Sequence, residues 1–109
     1  MTHPDRRWTF LTSHARVLVV IAWDPDAHLR TIAAACRITE RAVQSIIGDL
    51  EQGGYLHRRR IGRRNQYILH LDQPPRHPAE ASLSVRALVE LATAGAPHSP
   101  ETASASATV

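Results

Sequence analysis

Arginine carries most of the chemical potential of this chain, and it is unevenly placed. All 13 basic side chains are arginine and none is lysine. Five of them, Arg58, Arg59, Arg60, Arg63 and Arg64, fall in a seven-residue segment that contains no acid. A guanidinium is planar, permanently charged and able to donate two parallel hydrogen bonds, which suits a phosphate or the edge of guanine. The other reading of the same cluster is a solvated hairpin whose charges block edge-to-edge aggregation. The formal net charge of +3 and the sequence pI near 10.0 favour a polyanionic partner.

A second pair of side chains could read bases. Arg41 and Gln44 are three residues apart, so on a helix they share a face. Arginine pairs with guanine and glutamine with adenine in the major groove. Glu40 would sit in the first helical turn, where the helix dipole favours an acid.

Other chemistries find less support. Cys36 is the only cysteine, so no intrachain disulfide and no multi-cysteine metal site can form. Its place in an apolar run reads as a small core residue rather than a redox sensor. The seven histidines are scattered, with no pair at a spacing that builds a metal site from one helix. Asp24 and Asp26 flank Pro25, where aspartate serves a turn. With no nucleophile–base set and no phosphate-binding glycine loop in view, neither an enzyme nor a cofactor is expected. No apolar run approaches the ~20 residues that span a bilayer. The first seven residues lack the apolar stretch of a signal peptide, so a cytoplasmic setting is expected.

The elements that must position these groups follow from periodicity and caps. Residues 1–7 are expected to be loose, with an apolar patch of Trp8, Phe10 and Leu11 after them. Thr12 or Ser13 can cap a helix from Ser13 to Trp23, ended by Asp24-Pro25-Asp26. Leu29-Arg30 reads as a minimal strand, and Thr31 as the cap of a second helix, Ile32–Cys36. After the turn Arg37-Ile38, Thr39 caps a third helix that runs to Gln52, with Val43, Ile46, Ile47 and Leu50 on one face. Gly53-Gly54 ends it. Tyr55–Ile61 and Asn65–Leu71 read as two strands around the tip Gly62-Arg63-Arg64. Pro78 opens a last helix reaching about Thr93, and the Ala/Ser/Thr/Pro-rich segment Gly95–Val109 is expected to be disordered.

The second and third helices meet the demands of a helix-turn-helix. Ile32, Cys36, Ile38, Val43 and Ile46 form the buried set, and Ala33 is the small residue at the crossing. Glu40, Arg41, Gln44, Ser45 and Gly48 face outward. With the basic hairpin that follows, the stretch from about Trp8 to Leu71 resembles the winged helix-turn-helix domains of bacterial transcriptional regulators of MarR-like type. The resemblance rests on Thr39–Leu56 (TERAVQSIIGDLEQGGYL) followed by a basic strand, a Gly-Arg turn and a second strand. Two departures stand out: Arg37 takes a turn position often filled by glycine, and the long flanking dimer helices that frame a ligand pocket in that family are reduced here to the N-terminal apolar patch and one helix.

The resemblance implies an α+β, mainly α fold with a two-stranded basic wing. A DNA-binding domain over 8–76 would precede a C-terminal helix within 77–94. It implies sequence-specific binding of double-stranded DNA by a homodimer on a palindromic site, with any small-molecule effector unknown. Thr39, Arg41, Gln44 and Ser45 would contact DNA from the recognition helix, and Arg58, Arg59, Arg60, Arg63, Arg64 and Asn65 from the wing. The apolar ends suggest a dimer interface of Trp8, Phe10, Val85, Leu88, Val89 and Ala92. The alternatives are a winged protein-interaction module and a nonspecific architectural DNA-binding protein.

Overall fold

The computed structural model describes residues 8–94; the expectations for the first seven residues and for Gly95–Val109 lie outside them. The architecture is α+β and mainly helical: α1 (Ser13–Trp23), α2 (Leu29–Cys36), α3 (Glu40–Gln52), the antiparallel hairpin β1 (Leu56–Ile61) and β2 (Arg64–Leu69), a 3-10 turn at Pro78–Glu80, and α4 (Val85–Ala94). This arrangement is compatible with a winged helix. No helix among the described residues is long and apolar enough to cross a membrane.

α1 is the hub, packed against α2, α3 and α4. Its apolar run Val17–Ile21 is buried throughout, because three neighbours surround it. Val17, Ile21, Ile32, Val43, Ile47 and Leu56 are the most deeply buried large side chains. They come from all three leading helices and from β1, so one core ties the hairpin to the helices.

Two caps act as the residue types require. The Thr12 hydroxyl accepts from the Ala15 N–H, and the Thr39 hydroxyl accepts from the Ala42 N–H, satisfying donors that no helical turn precedes. α3 ends in a Schellman arrangement: the Tyr55 N–H donates to the Leu50 carbonyl and the Gly54 N–H to the Glu51 carbonyl. Gly54 takes φ 85°, the left-handed conformation this ending needs.

α2 ends the same way, with Ile38 N–H to Ala33 carbonyl and Arg37 N–H to Ala34 carbonyl. Here the left-handed position is Arg37, with φ 59° and ψ 43°. A Cβ in that region costs on the order of 1 kcal/mol. Arg37→Gly is therefore expected to raise unfolding stability by about 0.5–1 kcal/mol, read as a higher urea midpoint. An unchanged midpoint would show that the arginine side chain offsets the strain.

Four elements, α2, β1, β2 and α4, have bounds that differ from the sequence reading. Leu29-Arg30 is the first turn of α2 rather than a strand, and His28, not Thr31, is the N-cap, with no side-chain cap bond. Leu29 packs against the core, and that burial outweighs the better cap chemistry of Thr31. The strands are shorter than expected: Tyr55 and Leu71 are buried but lie outside the ladder, and Arg64 belongs to β2. The last helix does not run from Pro78. Pro78–Glu80 forms one 3-10 turn, and α4 restarts at Val85, with the Ser84 hydroxyl accepting from the Ala87 N–H. Ala79, Glu80, Ala81 and Ser82 are all exposed, so no packing sustains a helix there.

Candidate nucleic-acid interface

The first half of α3 presents the residues singled out for base contact. Val43, Ile46, Ile47 and Leu50 point into the core. Glu40, Arg41, Gln44 and Ser45 are all exposed on the other side, and Gly48 is half-buried. Thr39 is exposed with its hydroxyl engaged by the cap. The α2–turn–α3 unit buries Ile32, Ala33, Cys36, Val43 and Ile46 as the spacing predicts, and half-buries Ile38.

The hairpin follows α3 after the Gly53-Gly54 turn. Its register pairs Leu56 with Leu69, Arg58 with Tyr67 and Ile61 with Arg64, leaving Gly62-Arg63 as a two-residue tip. Gly62 has φ 62° at the first tip position, where hairpin turns of that length favour glycine. Only the root of the hairpin is anchored: Leu56 and Tyr67 are buried, while β1 is exposed from His57 onward. The Tyr67 N–H also donates to the Pro25 carbonyl, and the Gln66 side-chain amide donates to Asp26, so the α1–α2 loop braces β2.

The five clustered arginines are not equivalent. Arg58 forks onto Glu51 at the end of α3, with Nη2 to Oε1 at 2.8 Å and Nε to Oε2 at 3.3 Å. The Arg58 hydrogen bond holds the Glu51 carboxyl below its ordinary value of 4.5. A depressed carboxyl pKa contributes stability above the unfolded value that fades as pH falls through the folded one, so this pair weakens on acidification below about 4.5. Both partners are substantially exposed, so the contribution at neutral pH is under about 1 kcal/mol.

Arg59 donates to the Gln66 side chain, and Arg60 to the Gly62 carbonyl. Arg63, Arg64 and Asn65 are exposed at the tip and beside it. Among the described residues none of Arg41, Arg59, Arg60, Arg63 and Arg64 has a carboxylate within ion-pair distance. The residues brought together are thus an exposed Arg/Gln face and four uncompensated guanidiniums, with the fifth held by α3. Glu51 is the residue the sequence reading missed. It lies across the Gly-Gly turn from Arg58, and no local periodicity links the two.

At the hairpin root the His57 and His70 rings meet through Nδ1 and Nε2 at 2.7 Å. Their centroids are 4.9 Å apart, close to the sum of that bond and the two ring radii, so the contact is edge to edge rather than face to face. It staples β1 to the residue just past β2. Cys36 is buried and desolvation pushes its thiol up, which fits an inert core residue. No group of three or more metal-ligating side chains occurs among the described residues.

The expected dimer residues divide. Trp8 and Phe10 are exposed, Phe10 to 95%. Val89 is buried in the chain's own core, and Val85 and Ala92 pack against it. Leu88 is half-buried, and the large apolar side chain that α4 leaves exposed is Leu91. Comparison with family models, with curated proteins and with solved structures finds no match.

Proposed function

We propose that the protein is a sequence-specific, duplex-DNA-binding transcriptional regulator of winged helix-turn-helix type, MarR-like, that acts as a homodimer. The observation that carries this reading is the pairing of two surfaces in succession. An outward Arg41/Gln44 face on α3 is followed, across one turn, by a projecting hairpin with four guanidiniums that no carboxylate neutralises. In this reading α3 lies in the major groove, and Arg41 and Gln44 meet base edges. Thr39 and Ser45 approach neighbouring bases or phosphates. Arg59, Arg60, Arg63, Arg64 and Asn65 follow the backbone or the minor groove, giving affinity more than specificity. Arg58 acts mainly by fixing the hairpin to α3 through Glu51.

The test is fluorescence anisotropy with a pool of random duplexes at low and moderate salt, followed by sequencing of the bound fraction. An enriched palindrome is the expected result. Binding without enrichment would replace the regulator by an architectural protein, and absence of binding at low salt would overturn the DNA reading altogether.

A further inference from the structure

The most conspicuous surface not used by the DNA reading is a groove of about 560 Å³ on another side of the molecule. Its walls are α1, α4, Tyr55 and the end of α3, where it touches Asp49, Leu50 and Gln52. Those residues lie about 8 to 17 Å along the helix axis from Arg41 and Gln44, at about 1.5 Å per residue. The lining is mainly apolar, with Leu18, Val19, Leu83, Leu88 and Val89 contributing.

Phe10 stands on the rim of this groove and does not fill it: it lines the groove yet is 95% exposed. It is also held in that position. The Arg16 guanidinium donates to the Thr9 hydroxyl and to the Leu11 carbonyl, and the Thr9 hydroxyl donates to the same carbonyl. Trp8 backs the ring at a centroid distance of 6.4 Å. The backbone on both sides of Phe10 is therefore held within the chain, so the part of the ordering cost that falls on the backbone is met before the ring binds.

We infer that a second copy of this chain occupies the groove, each protomer inserting Phe10 into the groove of the other about a two-fold axis. A two-fold contact requires one patch to carry both the projecting and the receiving part, and this face carries both. Of the five exposed large hydrophobic side chains, Phe10 and Leu83 line the groove, and a third, Trp8, adjoins Phe10. The charges on the rim are self-complementary as well. Arg76 and Glu80 both line the groove, both are exposed, and neither has an ion-pair partner among the described residues. Across a two-fold axis Arg76 of one protomer meets Glu80 of the other, twice per dimer. The inference gives the homodimer of the proposed function its interface, and it leaves the outward face of α3 free on both protomers.

The test is sedimentation velocity of the full chain without DNA, so it stands apart from the duplex-binding assay: a dimer that binds no duplex would sink only the DNA reading. The wild-type chain is expected to dimerise. Phe10→Ser is expected to weaken the dimer by more than about 100-fold while leaving the fold intact, because the ring is exposed in the monomer. Arg76→Glu and Glu80→Arg each place like charges opposite one another and are expected to weaken the dimer about tenfold. An equimolar mixture of these two variants restores opposite charges at both contacts and is expected to form a heterodimer near wild-type strength. A monomeric wild-type chain, a Phe10→Ser variant as dimeric as wild type, or a mixture no stronger than either variant alone would each overturn the inference.

Discussion

Alanine at Arg59, Arg60, Arg63 and Arg64 together is expected to weaken duplex binding about thousandfold for each protomer bound at 0.15 M salt, and to flatten the dependence of log affinity on log salt by roughly 3 to 4 units per protomer, about 7 for the dimer. Each guanidinium that neutralises a phosphate releases condensed counterion, contributing about 0.9 to that slope. None of the four is spent on a carboxylate within the chain, so all four charges are available to the backbone. All four are exposed, so the variant keeps its core. The loss should be uniform across sequences. Gln44→Ala should behave differently, relaxing preference at one base pair by about 1–3 kcal/mol per site while leaving the salt slope unchanged. Anisotropy titrations at several salt concentrations distinguish the two. An unchanged slope in the quadruple variant would remove the hairpin from the interface.

The second large effect concerns the attachment of that hairpin. Leu56 is 1% exposed, pairs with Leu69 across the ladder, and opens the strand that packs against α3. Leu56→Ala leaves a cavity where helices and hairpin meet, and is expected to cost about 2–5 kcal/mol of unfolding stability. That is a large share of the ~5–15 kcal/mol by which a small domain is stable. Ile61 ends the same strand but is 41% exposed, so Ile61→Ala should cost only about 0.5–1 kcal/mol. Urea unfolding followed by circular dichroism would compare them. Equal losses at the two positions would mean that the hairpin is not anchored through Leu56.

Much of the fold could be read from local patterns. The bounds of α1, the threonine caps at Thr12 and Thr39, the apolar face of α3 and its Gly53-Gly54 ending all agree with the structure. The hairpin was legible too, apart from strand ends displaced by one or two residues. Where reading failed, a distant contact overrode a local preference. Thr31 is a better cap than His28, but Leu29 reaches the core only if α2 starts early. Pro78 is a good first helical residue, but the exposed segment after it has nothing to pack on, and the helix begins where Val85 and Val89 meet the core.

The candidate site divides along the same line. Composition and spacing alone were enough to group the arginines between β1 and β2 and to set Arg41 and Gln44 on one outward helical face, because both depend on neighbours within a few residues. Which arginine is neutralised was decided by the tertiary structure, since Glu51 reaches Arg58 only after the chain reverses at Gly53-Gly54. The inward turn of Val89, the outward turn of Leu91 and the groove beside Phe10 were decided the same way. An amphipathic pattern marks which residues can be buried, whereas the packing of α4 against α1 selects which of them are.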